Sequence, residues 1–434
     1  MHELTKLIKN DMVPALGVTE PGAIAFCVAK ARSYTGGEPL HVHVTLNSGM
    51  YKNAFTCGIP NSDETGNVFA AALGLIAGDA EKELQSLADV QPADNEAARK
   101  LIGEGKVAVE MSGITSRIFI EATVETAQDR AVVTIRDSHT NITRIEVNGK
   151  TILDTESEHA GEASEDTANG KAPSEVHLIH RYTLEQIVSY VNTVSFEEIS
   201  FVREAYRVNL ALFEEGLNHP RTTFARQLLD MNGGTVISDD EKRTASLLCN
   251  ATIEARVIGL DRPAMSITGS GAHGIIATMP LYAVYKINSL SEEMLCRATM
   301  LSYLVCTYIK EYSGRLSAFC GCAIAAGSGM ACGLVLLKGG GVKEMEYTLN
   351  NMASSITGMI CDGGNQGCTM KGVAACDAAF QSVEFAMNGV HIDKVHGING
   401  ATPEETMRNM GLIASPGMVG TEKTIVEILQ GKMG

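Results

Sequence analysis

Two cysteines, Cys361 and Cys368, stand seven residues apart at the ends of the stretch CDGGNQGC. Between them Asp362, Gly363, Gly364, Asn365 and Gly367 are turn formers, because glycine and asparagine accept positive φ cheaply. A bend of this kind cannot stay helical. It can aim both thiols inward at one object: a metal cluster, a disulfide partner or the protein core. A third thiol, Cys320, lies upstream in SAFCGC, Ser317 to Cys322. Three thiolates from a helix start and one bend are a natural cap for a [4Fe–4S] cluster with one iron left free. Three packed core thiols are the plainer reading, and spacing alone leaves both open. Zinc fits less well, since the short C-x2-C knuckles of structural zinc sites are missing.

A second stretch, GSGAHG from Gly269 to Gly274, has the letters of a dinucleotide fingerprint. The preceding AMSIT reads as a strand and the following IIATMPLYAVYKI as a helix, which Pro280 is expected to interrupt. No second parallel strand ending in an acidic residue follows about 20 residues on, so the context of a nucleotide site is absent. Ser270 and the glycines, Gly271 among them, can still present a nest of backbone N–H groups to an anion such as a substrate carboxylate.

The elements that must position these groups can be read from periodicity. With 434 residues, 45% hydrophobic and 20% charged, the chain can bury a large core, and about 150 residues per domain suggests two or three domains or one large one. Thirty-five basic against 51 acidic residues leave a net charge of −16. That balance argues against a nucleic-acid surface and fits a cytoplasmic protein that binds small molecules. The first residues carry scattered charges and no signal-type apolar core. Leu316 to Leu337 is free of charge over 22 residues, close to the ~20 of a spanning helix, but it is built of Ala, Gly, Ser and Cys. It reads as a buried helix, with no membrane involved. Eleven cysteines without a secretory signal do not suggest a disulfide framework; Cys249, Cys296 and Cys306 fall in apolar helical patterns and read as small core residues.

Residues 3 to 32 read as helix with a break at Gly17 to Gly22. Leu40 to Ser48 alternates as a half-buried strand does, and residues 65 to 103 return to helical spacing. Between Lys106 and Glu156 short alternating runs are divided by turn residues, with a strong hairpin signal at Asn148 to Lys150. The stretch Asp154 to Glu175, acidic and small, suits a flexible loop. Long helical segments dominate from about 182. The expected fold is α+β: a helical catalytic domain, 1–103 and 182–434, interrupted by a small antiparallel α/β sheet module, 104–181.

PALGVTEP, SHTNI, GSGAHGIIATMP, RLSAFC and GMICDGGNQGCTMK, in this order from Pro14 to Lys371, together resemble the L-cysteine desulfidase family. That family is related to the catalytic chain of the iron–sulfur L-serine dehydratases. The resemblance implies a helical domain with a small α/β insertion and β-elimination from a small amino acid without pyridoxal phosphate. Carried over by residue, it implies that Cys320, Cys361 and Cys368 are cluster ligands. Cys322 is close enough to compete with Cys320 but sits two residues past the family's position.

β-Elimination needs a base for the α-proton and an acid for the leaving group, and the free iron of a three-cysteine cluster is such an acid. Lys52 and Asn53 in GMYKNAF, Ser270 in the nest and Lys371 are candidate partners for the substrate carboxylate. Lys52, His139 in SHTNI and Glu20 in TEP are the candidate catalytic groups, and His273 stands where the family more usually carries an amide, a position to set substrate choice. The family's GCTEP reads GVTEP here, so Val18 replaces a thiol. Either Cys57 supplies that thiol in the same pocket, or the substrate has changed; changed specificity is favoured. A non-enzymatic iron–sulfur ligand or redox sensor on the same scaffold is the alternative, and a homo-oligomer stays open.

Overall fold

A computed structural model describes residues 1–155, 176–314 and 316–432; most of the acidic stretch read above as a flexible loop lies outside the described residues. The fold is α+β and rich in helix. The region expected to be helical from 3 to 32 is broken earlier than its glycines suggest. Helix Glu3–Asp11 gives way to strand β1, Val13–Leu16, before helix Thr19–Arg32. Proline at the second position of β1 is tolerated because the strand has only one neighbour. That neighbour is distant in sequence. Strand β8, Pro263–Ser266, pairs antiparallel with β1, Val13 opposite Ser266 and Leu16 opposite Pro263. This two-stranded contact sets the Val18–Glu20 corner beside the glycine loop that follows β8.

The larger sheet has the order β3-β2-β4-β5-β6-β7, with β2 Pro39–Asn47, β3 Val107–Gly113, β4 Phe119–Thr126, β5 Arg130–Arg136, β6 Ile142–Val147 and β7 Lys150–Asp154. Alternation decides its two faces. Val42, Val44 and Leu46, with Ile120, Ala122, Val124, Ala131, Val133 and Ile135, are all buried, and helix Thr19–Arg32 lies against β4 and β5. The Cys27 thiol donates to the Val133 carbonyl at 3.3 Å. The turn before β7 has φ of 52° at Asn148 and 79° at Gly149, as a tight hairpin requires. The sheet departs from the expected antiparallel module in one respect. It is mixed, because β2 and β3 run parallel: the chain leaves β2 through helices Ser48–Ala54, Asn67–Ile76 and Pro92–Gly103 before returning, the kind of crossover a parallel pair needs. β2 is therefore an inner strand, next to the edge strand β3, of a sheet that uses chain on both sides of residue 104.

Elsewhere helices stack around a common core. Helix Gly271–Ile287 runs through Pro280 without ending there, contrary to the sequence expectation; its buried flanks hold the turn that local preference would break. The uncharged run Leu316–Leu337 resolves into an irregular approach, a wide turn at Cys322–Ala326 and helix Gly327–Leu337, whose every residue is buried. Its small residues serve close approach: a Cβ on Gly329 would lie 2.2 Å from the Ser302 carbonyl oxygen of helix Glu292–Ser313. Among the described residues no helix is long and apolar enough to cross a membrane.

Candidate active site

The thiol bend folds as its composition suggests. Two short segments pair backbone to backbone: Cys320 N–H donates to Met359 O at 3.1 Å and Cys361 N–H to Ala318 O at 2.6 Å. This rung holds Cys320 and Cys361 on adjacent strands of chain. Past it, Gly363 takes φ of 109°, and Gly364 N–H donates to Asn53 O at 3.1 Å. Asn365 accepts the Gly367 N–H on its side chain at 2.8 Å and the Cys368 N–H on its carbonyl at 2.9 Å. That starts helix Gly367–Met387, with Cys368 in its first turn. Larger residues would not fit: a Cβ on Gly363 would stand 2.5 Å from Lys52 O, and one on Gly364 2.8 Å from Val18 Cγ1. GVTEP and GMYKNAF thus form the wall against which the bend is pressed.

Cations surround the thiols. Lys52 has a fully buried side chain whose ammonium donates to Ser317 O at 2.9 Å and Cys361 O at 2.8 Å, and pairs with Glu422 Oε2 at 3.0 Å. Burial works against its charge, yet Cys361, Glu422 and Glu20 outweigh burial and raise its pKa. Bonded to two carbonyls and ion-paired with Glu422, Lys52 is a tie between the two thiol segments and the C-terminal helix Val419–Gln430. Lys371 pairs with Asp362 inside the bend; burial lowers its pKa, while Asp362 and then Cys361, Cys368 and Cys320 raise it further. Cys320 is brought down to about 7, chiefly by the neighbouring Cys322 thiol, against burial and with help from Lys371 and Lys52. Cys368 is pushed up to about 11 by burial, Cys361 and Cys320 adding to it. Cys322 rises well above the thiol range, chiefly through its hydrogen bond with Cys320 and then through burial. All eleven cysteines are free, and Cys27, Cys249, Cys296, Cys306, Cys332 and Cys376 are buried.

Three residues singled out separately in the sequence meet on one side of the bend. Asn53 donates to Glu20 Oε1 at 2.8 Å, and its own oxygen is 3.9 Å from the Cys361 sulfur. His139, in the loop between β5 and β6, is buried, with Nε2 3.9 Å from Glu20 Oε1 and without a hydrogen-bond partner. Burial raises the Glu20 pKa, but His139, Asn53 and Arg256 together carry it down to about 2. Glu20 is therefore an anion facing an imidazole.

The glycine loop closes another side. Ser270 is the N-cap of helix Gly271–Ile287 and its side chain makes no capping bond. His273 Nδ1 is 2.6 Å from Thr268 Oγ1, and its Nε2 would be 2.7 Å from a Cβ on Gly321, so the ring packs on the turn between Cys320 and Cys322. Cys57 is fully buried with its thiol on Ala54 O, and burial pushes its pKa far up. A cleft of about 450 Å³ opens beside the bend, lined by Gly58, Arg221, Val257 and Asn365 to Gly367.

Sequence reasoning missed Glu422, Asp362 and Arg256. Asp362 was seen only as a turn former. Glu422 belongs to a helix of ordinary surface pattern and carries no local signal. Arg256 had one: with Glu254 it is one of two charges in the stretch Thr244–Val257.

The chain belongs to a dehydratase-type family. Residues 81–427 match the serine dehydratase alpha chain family, and the chain is a member of it. Full-length relatives are UPF0597 proteins. One from Clostridium botulinum strain Hall is 39% identical over 98% of both chains. One from Caldanaerobacter subterraneus is 35% identical over 99% of this chain and 98% of its own, and one from Alkaliphilus oremlandii is 31% identical over the same shares. The family match begins after Glu20, Lys52 and Asn53, whereas these relatives extend across them.

Proposed function

We propose that the chain is an iron–sulfur-dependent β-eliminating lyase of the cysteine desulfidase or serine dehydratase type. Its substrate would be a small β-substituted amino acid, and its products water or sulfide, ammonia and a 2-oxo acid. The observation that carries this reading is the backbone rung that sets Cys320 beside Cys361 at the bend bearing Cys368, with Asn53 between Cys361 and Glu20 and the buried His139 beside Glu20. Among the described residues no three His, Cys, Asp or Glu side chains converge on a single metal ion. A cluster instead takes one thiolate per iron, so its ligands stand apart, and a donor set of three thiols flanked by two ammonium groups fits that need. Cys320, Cys361 and Cys368 would hold a [4Fe–4S] cluster, which when bound supplies a Lewis-acidic iron for the leaving group.

The remaining work falls to side chains. Lys52 and Lys371 offset the negative charge of three thiolates in a buried place, where uncompensated charge is expensive. His139 Nε2 accepts the α-proton; neutral imidazole is the usual group for that task near pH 7. The ionised Glu20, held by Asn53, then faces an imidazolium and stabilises it. Val18 and His273 shape the side-chain pocket, and Val18 cannot transfer a proton or accept sulfur as a thiol would. Released 2-aminoacrylate tautomerises and takes up one water to give ammonia and the 2-oxo acid.

The test is an amino-acid panel on anaerobically reconstituted protein, with L-serine, L-cysteine and other β-substituted acids. Ammonia and 2-oxo acid should appear in equal amounts for at least one of them. An iron-loaded chain that turns over none would leave the sensor reading in place of this one.

A further inference from the structure

Arg256 is the charged group the mechanism above does not use. It lies near the end of helix Glu241–Val257, is only 4% exposed, and its Nε has no hydrogen-bond partner. A buried guanidinium carries five donors and cannot shed its charge, so a donor on it left without an acceptor is costly. The nearest carboxylate in sequence is already occupied. Glu254 accepts the backbone N–H groups of Thr223, Phe224 and Ala225 at 2.8–3.1 Å, which caps helix Phe224–Met231. Glu20 feels the charge of Arg256, while its Oε1 accepts from Asn53.

The surroundings of Arg256 add positive potential. A Cβ on Gly271 would lie 2.7 Å from Arg256 Nε, so the guanidinium stands at the first residue of helix Gly271–Ile287. The N–H groups at the start of a helix have no intrahelical acceptor, and the helix dipole favours an anion there. Ser270, half-buried at the N-cap, leaves its hydroxyl without a capping bond. The same guanidinium acts on Cys57 and Glu20, which places it on the edge of the site that holds His139 and the thiol bend.

We infer that Arg256, with Ser270 and the N-terminus of helix Gly271–Ile287, forms the subsite for the carboxylate of the substrate. The inference rests on the proposed elimination for the identity of the anion. A planar guanidinium fork matches a carboxylate in two parallel hydrogen bonds. Lys52 and Lys371, the sequence candidates for that contact, are both engaged with protein acceptors.

The experiment measures calorimetric binding of pyruvate, the 2-oxo acid product of serine or cysteine elimination, with its neutral amide as control. Wild type, Arg256→Gln and Gly271→Ala are compared as reconstituted full-length proteins, with iron content and circular dichroism as checks. Arg256→Gln should weaken pyruvate binding about tenfold to a hundredfold, the worth of charge-assisted hydrogen bonds to a carboxylate, and leave the amide's weak binding unchanged. In turnover KM should rise by more than kcat falls. Should Arg256→Gln fail to fold, Gly271→Ala keeps the charge but crowds Nε, and a smaller loss in the same direction is expected. Pyruvate affinity that is unchanged in a folded variant, or absent in wild type, overturns the subsite. Pyruvate bound through Arg256 by a chain that eliminates nothing would instead overturn the proposed reaction and leave the subsite standing.

Discussion

Replacing Lys52 by methionine isolates the tie that holds the two thiol segments together. In the native chain the ammonium bonds two backbone carbonyls, Ser317 O and Cys361 O, and pairs with Glu422. Glu422 is 5% exposed, and apart from this ion pair neither of its carboxylate oxygens has a hydrogen-bond partner. Removing the cation leaves a buried carboxylate uncompensated, which costs about 3–5 kcal/mol, and the two carbonyls lose their donors as well. In the double variant Lys52→Met, Glu422→Leu the charge is gone and only the carbonyls remain unpaired, at about 1 kcal/mol each at the lower end. The double variant should therefore be more stable than the single one by about 1–3 kcal/mol. Urea unfolding of the reduced, iron-free proteins at pH 7 measures this, with midpoints compared only where the slopes agree. Lys52 has a raised pKa, so its contribution is complete below the ordinary lysine value and is lost only as pH rises through the folded one. A single variant that loses less than about 1 kcal/mol, or a double variant as unstable as the single, would refute the buried ionic tie.

Three further outcomes follow. Glu20 is depressed from 4.5 to about 2, so its ionised form stabilises the fold by about 3 kcal/mol above pH 4.5; this is lost as pH falls towards 2, and the stability gap between wild type and Glu20→Gln should close over that window. A gap independent of pH would show that Glu20 does not titrate as an ion held by its neighbours. His139→Gln should lower kcat by about a hundredfold to ten-thousandfold at unchanged iron content, and near-wild-type turnover would remove His139 as the base. Val18→Cys restores a thiol beside the bend and should raise sulfide release from L-cysteine; an efficient wild type that gains nothing from it and is unaffected by Cys57→Ala would make the missing thiol irrelevant.

Much of the site was legible because its signals are local. The glycines and asparagine of the thiol bend dictate a turn wherever they fall, and Gly363 and Gly364 are also the only residues that fit against Lys52 and Val18. Glu20, Asn53 and His139 could each be named from their segments and from the family resemblance. Their meeting could not, since it depends on β1 pairing with β8 and on β5 and β6 carrying the His139 loop. The partners of Lys52 were not legible for the same reason: they come from three remote segments and make it a tie between them. β2 read correctly as a strand, but period-two alternation does not say which neighbours a strand takes, so its parallel partner β3 was missed. Pro280 shows the reverse conflict, a local breaker overridden by a buried helix.

The central claim is that Cys320, Cys361 and Cys368 hold an iron–sulfur cluster, and iron content reads it most directly. Full-length protein reconstituted without oxygen should be brown and carry about four irons per chain, whereas Cys361→Ser, folded by circular dichroism, should lose most of them. Wild type that takes up no iron, or a Cys361→Ser variant that keeps the full complement, would contradict the account.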